Sequence, residues 1–240
     1  SEEAFAELET KKAHEIGLKN STFKNATGLP DPGHLMTVRD IATLSEHIIR
    51  DFPEYYALFG GKNFSFNDSK QCNRIPRLDK DLGVDGRKTG HTNEAGYGIA
   101  VSAERNGRRL VLVVTGLHSM NERSSDSERL LESGYREFGT YPLFAAGDTV
   151  DQAAIWLGQA PSVPLTVGKP LAITMPKRLR PQMQVKLEYT GPLPAPVTKG
   201  AEVGKLVVTV PEWKTVELPV LAGDSVGRLG TVARISAAVR

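Results

Sequence analysis

Several short motifs combine residue types that could carry out acyl-transfer chemistry. Ser21-Thr22-Phe23-Lys24 places an amine three residues after a hydroxyl, and such an amine can activate a serine nucleophile. Ser65-Phe66-Asn67 adds a second hydroxyl with an amide, and Ser119-Met120-Asn121 repeats that pattern. Lys88-Thr89-Gly90 joins an ammonium and a hydroxyl, which can hold a carboxylate, to a glycine that lets a ligand approach the backbone.

Each motif is short enough to occur by chance, so the residues around it decide how strongly it indicates a function. Lys88-Thr89-Gly90 follows the turn-rich run Val84-Asp85-Gly86. Tyr97 to Ala103 and Arg109 to Thr115 are predicted strands, and Asn106-Gly107 between them predicts a tight hairpin turn. We therefore expect the lysine motif to lie on a strand beside a β-hairpin.

Helices must hold this sheet in place, and the pattern of apolar residues predicts three of them. The first begins after Ser1 and ends near Gly17. The second begins at Thr37, three residues before Asp40 as in a capping box, and ends before Pro53. The third is predicted from Ser127 to Phe138, and residues 63–71 are predicted to form a strand.

The character of the sequence changes near Tyr141-Pro142. Beyond that point short strands alternate with turn residues, which predicts a small β-sandwich or barrel-like domain. We place the domains at 1–141 and 142–240. The clearest strands of the second domain are Leu171 to Met175, Gln184 to Tyr189, Leu206 to Val210 and Val216 to Val220.

Composition excludes several classes of function. The 240 residues carry 30 basic and 28 acidic side chains, a net charge of +2, so we expect no nucleic-acid partner. The five histidines are scattered, without His-x-x-x-His spacing, and no phosphate-binding glycine loop is present, so we expect no metal and no cofactor. The single cysteine, Cys72, cannot form an intrachain disulfide.

Four segments of the chain resemble the serine-type D-alanyl-D-alanine carboxypeptidases, the low-molecular-mass penicillin-binding proteins. They are Ile16 to Pro30, His34 to Ala42, Val84 to Tyr97 and Leu130 to Tyr135. The proline-bearing β-rich tail resembles the C-terminal domain of the same family. The resemblance implies an α/β (α+β) fold, in which part of a penicillin-binding/β-lactamase-like transpeptidase domain, an antiparallel sheet with helices, precedes a small all-β domain.

The resemblance also implies roles for individual residues. Lys88 and Thr89 would bind the terminal carboxylate of a D-Ala-D-Ala peptide or of a β-lactam, with Gly90 and Thr92 beside them. The backbone N–H of His91 would form half of an oxyanion hole. Arg123 resembles a family arginine near the substrate carboxylate; the alternative for Arg123 is a surface salt bridge with Glu122 or Asp126.

The family also needs a Ser-x-x-Lys nucleophile motif and a Ser-x-Asn motif. Ser21 lies in a segment that resembles the stretch after the family's Ser-x-Asn, and Ser21, Ser65 and Lys88 are closer together than the family's motifs. Ser21 also precedes a Gly/Pro turn rather than opening a buried helix. We therefore expect both motifs upstream of Ser1, and this chain alone to be inactive.

The resemblance implies removal of the terminal D-Ala of peptidoglycan pentapeptides through an acyl-serine intermediate, and binding of β-lactam antibiotics. The setting would be the periplasm or the outer face of the cytoplasmic membrane. Many members hold the membrane by a C-terminal amphipathic helix, for which Ile235 to Arg240 is too short. Two alternatives stay open: a β-lactamase of the same superfamily, and a non-catalytic cell-wall-binding or scaffold protein.

Overall fold

The chain forms two compact units. The computed structural model describes residues 1–61, 63–72 and 82–231, and close contacts divide the chain into Ser1–Arg136 and Glu137–Arg240. This division lies a few residues before the predicted boundary at residue 141. Each unit has its own hydrophobic core.

The described residues of the first unit form four helices, α1 (Glu2–Glu15), α2 (Val38–Asp51), α3 (Pro53–Tyr56) and α4 (Met120–Glu137), and a short 3-10 helix follows α3 at Ala57–Gly60. The side chain of Thr37 accepts the N–H of Asp40 at 3.1 Å, which confirms the predicted start of α2. The predicted start of α4 at Ser127 was wrong. The helix begins at Met120 because the Oγ of Ser119 caps it by accepting the N–H of Glu122 at 3.1 Å.

The strands of the first unit are β1 (Asn63–Phe66), β2 (Ser69–Cys72), β3 (Val84–Thr92), β4 (Gly96–Arg105) and β5 (Arg108–Leu117). The last three form an antiparallel sheet in the order β3-β4-β5. Asn106 and Gly107 have φ angles of 52° and 72°, as the predicted hairpin turn requires. Residues 63–71, predicted as one strand, instead form the β1–β2 hairpin, because Asn67 and Asp68 turn the chain at φ 45° and 58°.

The sheet of the first unit lies between α2 and α4. On the α4 side, Ile99, Val101 and Ala103 of β4 pack with Leu131, which is 1% exposed. On the other side α2 contacts β5. This arrangement holds β3 at one edge of the sheet, so within the described residues β4 is its only neighbouring strand.

Between Phe138 and Ala222 the second unit is all-β apart from a 3-10 helix at Lys177–Gln182, as predicted. Its strands are β6 (Phe138–Phe144), β7 (Thr149–Trp156), β8 (Ser162–Val167), β9 (Leu171–Pro176), β10 (Gln184–Tyr189), β11 (Leu193–Pro194), β12 (Glu202–Val210) and β13 (Lys214–Ala222). Six of them form one sheet in the order β10-β12-β13-β8-β7-β11, and β6 pairs with β9. Alternate residues of β8, namely Val163, Leu165 and Val167, are fully buried, as the period-two pattern of a strand requires.

No helix among the described residues is both long enough and apolar enough to cross a membrane. The segment Ile235 to Arg240, considered above as a membrane anchor, lies outside the described residues.

Candidate active site

Lys88, Thr89 and Gly90 lie on β3, at the open edge of the sheet, as the sequence predicted. They pair on their inner side with Ala100, Ile99 and Gly98 of β4. The outer side has no neighbouring strand in the described part of the chain. An extended ligand can therefore approach this edge and use the backbone groups that β4 leaves free.

The side chains of Lys88 and Thr89 leave opposite faces of β3, because successive residues of a strand alternate. Lys88 is exposed and its ammonium donates to the carbonyl of Thr89 at 2.9 Å, while Thr89 is half-buried. Lys88 also lines an apolar groove that runs along α2. A ligand that touches both side chains must lie along the edge of the strand rather than on either face.

Two glycines of β3 have opposite surroundings. A Cβ atom built on Gly90 would meet no atom within 4 Å, so the space beside this residue is open. A Cβ atom built on Gly86 would lie 2.2 Å from the phenol oxygen of Tyr56, so this residue is a point of close packing. Only Gly90 leaves room for a ligand against the backbone.

His91, Tyr97 and Arg123 form a stack on the face of the sheet that packs against α4. The rings of His91 and Tyr97 are 4.0 Å apart, and the guanidinium carbon of Arg123 lies 5.6 Å from the centre of the Tyr97 ring. Arg123 is only 3% exposed, so the alternative interpretation of this residue, a salt bridge at the surface with Glu122 or Asp126, does not hold. The early start of α4 brings this residue into the protein and near the end of β3.

A second polar cluster, which sequence analysis missed, lies at the start of β3. Asp85 accepts a hydrogen bond from the Tyr56 hydroxyl at 2.8 Å and forms an ion pair with Arg109 at 2.6 Å. Arg109 also donates to the Oγ of Ser102 and pairs with Glu104. Burial, together with the hydrogen bond and the charge of Asp85, raises the pKa of Tyr56 to about 12, so its hydroxyl stays protonated and donates.

Ser21, the serine of the Ser-x-x-Lys motif, has a structural role. It is 1% exposed, and its hydroxyl donates to the carboxylate of Asp40 at 2.7 Å. The ring of His14 contacts the carbonyl of Ser21 at 3.1 Å, not its hydroxyl. The side chain of Lys24 instead lies against Gly33. This serine therefore ties the segment after α1 to α2, and its hydroxyl is not directed at an amine.

The other two motif serines lie outside the β3–β5 sheet. Ser65 is an exposed residue of the β1–β2 hairpin, and Asn67 of the same motif forms its turn. Ser119 caps α4 through its Oγ. Among the described residues, then, none of the three serine motifs pairs its hydroxyl with a lysine.

No group of three or more metal-binding side chains occurs among residues 1–61, 63–72 and 82–231. His34 and His47 each have contacts of their own. His34 accepts the N–H of Lys24 and packs edge-on against Phe23, and His47 pairs with Asp51. Their surroundings are those of single structural side chains.

Comparison with known proteins identifies both units. The family model described as D-alanyl-D-alanine carboxypeptidase matches residues 1–119. The model described as penicillin-binding protein 5, C-terminal domain, matches residues 138–228. The second match begins next to the division between the compact units, and the first ends just before α4.

Individual relatives agree with the family models. The D-alanyl-D-alanine carboxypeptidase DacA of Haemophilus influenzae is 39% identical over 206 residues, which cover 85% of this chain and 52% of that protein. The crystal structure of penicillin binding protein 5 from the same organism has a TM-score of 0.79 at 35% identity and covers 94% of this chain and 67% of that one.

A more distant relative carries a bound drug. Penicillin-binding protein D2 of Listeria monocytogenes, solved in its cefotaxime-bound form, is 30% identical with a TM-score of 0.51 and covers 55% of each chain. This chain spans about half the length of the DacA relative. From the two family models and these relatives, we conclude that the chain belongs to the D-alanyl-D-alanine carboxypeptidase family of penicillin-binding proteins.

Proposed function

We propose that this chain supplies the carboxylate-binding wall of a D-alanyl-D-alanine carboxypeptidase that removes the terminal D-Ala of peptidoglycan pentapeptides. The observation that carries the proposal is the open edge of β3, where Lys88, Thr89 and the unobstructed Gly90 follow one another. The ammonium and the hydroxyl hold the C-terminal carboxylate of the peptide, which lies extended along this edge.

The scissile carbonyl then lies farther along β3, at His91. Backbone groups of alternate residues point toward the same edge of a strand, and the proposal assigns the N–H of His91 to the outer edge together with the carbonyl of Thr89. That N–H stabilises the oxyanion that forms when a serine attacks the carbonyl. The bond to the terminal D-Ala breaks, D-Ala leaves as the amine, and water later releases the acyl group from the serine.

The nucleophile of the proposed reaction is a serine other than Ser21, Ser65 and Ser119. Ser21 donates to Asp40, Ser119 caps α4, and Ser65 is exposed on the β1–β2 hairpin. Arg123 contributes positive charge behind the end of β3. β-Lactams such as the cefotaxime bound to the Listeria relative carry a carboxylate and a strained acyl group, so the same wall binds them. The peptidoglycan substrate places the enzyme in the periplasm or at the outer face of the cytoplasmic membrane.

Labelling with a fluorescent penicillin tests the proposal. The full-length protein is expected to be labelled and to release D-Ala from a D-Ala-D-Ala peptide, whereas these 240 residues alone are expected to stay unlabelled. Labelling of the 240-residue chain at Ser21 would contradict the assignment of the nucleophile. Rapid β-lactam hydrolysis without release of D-Ala would instead identify a β-lactamase, and neither activity in the full-length protein would identify a binding protein.

A further inference from the structure

The strand that carries Lys88 begins with an irregularity. Val84 pairs with Ala103 and Gly86 pairs with Ser102, so Asp85 is an extra residue, a β-bulge, between two regular pairs. From Gly86 onward the pairing is regular as far as Thr92. The position of the bulge therefore sets the register of the whole lysine motif against β4.

Register decides whether this edge can bind a carboxylate. A slip of one residue moves every side chain of a strand to the opposite face and turns every backbone N–H to the opposite edge. Lys88 would then leave the groove along α2, and the N–H of His91 would exchange the outer edge for the inner one. Because β3 is an edge strand with one neighbour within the described residues, the sheet alone holds its register weakly.

Three contacts converge on the bulge from other elements. Tyr56 of α3 donates its hydroxyl to Asp85 at 2.8 Å, and Arg109 of β5 reaches Asp85 past β4 at 2.6 Å. Gly60 packs against the carbonyl of Asp85 so closely that an added Cβ would lie 2.5 Å from that oxygen. The phenol of Tyr56 also fills the space beside Gly86.

We propose that Tyr56, Asp85 and Arg109 are positioning residues that fix the bulge, and with it the register of Lys88, Thr89 and His91. A general contribution to stability would not require this location, since half-exposed ion pairs contribute little and can occur anywhere on the surface. Here the hydrogen bond and the ion pair meet on Asp85, the bulged residue of β3. The catalytic consequence rests on the proposed function, whereas the effect on register does not.

A matched control exists in the same sheet. Arg105 of β4 pairs with Glu132 of α4, with side chains that are 24% and 45% exposed, against 29% and 37% for Arg109 and Asp85. Glu132→Gln thus removes a carboxylate from a comparable ion pair without touching the bulge. Asp85→Asn removes it at the bulge, and Tyr56→Phe removes only the hydroxyl while the ring still packs against Gly86.

The kinetic test uses the full-length enzyme with a D-Ala-D-Ala peptide. Asp85→Asn is expected to lower kcat/KM by about 100-fold, the loss that follows displacement of a binding group by about 1 Å. The loss is expected in both KM and kcat, because Lys88 and Thr89 hold the carboxylate in the ground and transition states, whereas the N–H of His91 acts on the oxyanion of the transition state. Tyr56→Phe is expected to cost about 10-fold and Glu132→Gln less than about 3-fold, and Asp85→Glu to recover part of the loss.

The structural test uses the 240-residue chain and needs no activity. Cross-strand NOEs between Gly86 and Ser102 and between Lys88 and Ala100 report the register in the wild type. They are expected to persist in Glu132→Gln, and to weaken or shift by one residue in Asp85→Asn, or in Tyr56→Phe if the first variant does not fold.

The outcomes separate this inference from the proposed function. A wild-type enzyme that neither releases D-Ala nor reacts with penicillin refutes the function, while the NOEs still test the register. Unchanged NOEs in both bulge variants, or kcat/KM values equal to that of Glu132→Gln, would overturn the inference. Lost activity with an unchanged register would also overturn it, because the effect would then come from charge alone.

Discussion

The two glycines of β3 provide a test that separates ligand binding from folding. Gly90→Ala adds one methyl group where no atom lies within 4 Å. The substitution therefore creates no clash, and the loss of backbone freedom in the unfolded chain stabilises the fold by about 0.4–1 kcal/mol. The same methyl group occupies the space through which the proposed ligand passes.

Gly86→Ala makes the same chemical change on the same face of the strand, with the opposite result. Its Cβ would lie 2.2 Å from the hydroxyl oxygen of Tyr56, so the phenol must move and its hydrogen bond to Asp85 is lost. A hydrogen bond to a charged group contributes about 1.5–3 kcal/mol. A loss of about 2 kcal/mol lowers the Tm of a protein of this size by about 4–8 °C.

Both variants are measured by thermal unfolding of the 240-residue chain and by the rate of penicillin labelling of the full-length protein. Gly90→Ala is expected to keep or raise the Tm and to slow labelling by about 10-fold or more, which corresponds to an increase of about 1.4 kcal/mol in the activation free energy of labelling. Labelling of Gly90→Ala at the wild-type rate would refute the assignment of this edge as the ligand site. An unchanged Tm for Gly86→Ala would refute the packing argument.

Three further predictions concern single side chains. Lys88→Ala is expected to change the free energy of unfolding by less than about 0.5 kcal/mol, since the ammonium is exposed, but to slow penicillin labelling of the full-length protein about 10–100-fold. Leu131→Ala, at a site 1% exposed, is expected to destabilise the first unit by about 2–5 kcal/mol, which urea unfolding would measure. The hydrogen bond from Ser21 lowers the pKa of Asp40, against the opposing effect of burial. The ionised carboxylate therefore stabilises the fold above its unfolded pKa of about 4. This stabilisation is lost as the pH falls through the lower pKa of the folded state. Ser21→Ala is therefore expected to lower the free energy of unfolding near neutral pH and to make its decline in acid shallower; an identical decline would contradict this linkage.

Local signals in the sequence predicted the parts of the site that depend on neighbouring residues. Thr37 and Asp40 form a cap within one turn, and Asn106-Gly107 adopts the positive φ angles that few other pairs tolerate. Lys88-Thr89-Gly90 lies on a strand beside that hairpin, as its surroundings indicated. These features follow from rules of short range, so no knowledge of the fold was needed.

Contacts between residues that are far apart in the sequence could not be predicted from such local patterns. No spacing in the sequence indicates that Tyr56 and Arg109 meet at Asp85, or that Asp85 is the bulge of β3. The burial of Arg123 depends on the position of α4 against the sheet. A weaker signal existed for the helix itself, because Ser119 stands three residues before Glu122, the spacing of a capping box.

The serine motifs show how spacing and environment must be combined. Ser21-Thr22-Phe23-Lys24 satisfies the pattern of a nucleophile motif, but the hydroxyl of Ser21 donates to Asp40, nineteen positions later in the chain. The turn-rich residues after Ser21 predicted that this serine does not open a helix. In the structure the segment indeed lies between α1 and α2. A Ser-x-x-Lys motif therefore predicts a nucleophile only when its serine also opens a helix.

The most direct measurement is a crystal structure of the full-length protein acylated by a carboxylate-bearing β-lactam. The drug carboxylate is expected within about 3 Å of the Lys88 ammonium or the Thr89 hydroxyl, with the acyl oxygen accepting the N–H of His91. The acylated serine is expected to be none of Ser21, Ser65 and Ser119. A carboxylate bound away from β3, or an acyl group on Ser21, would contradict the assignment of β3 as the carboxylate-binding wall of this enzyme.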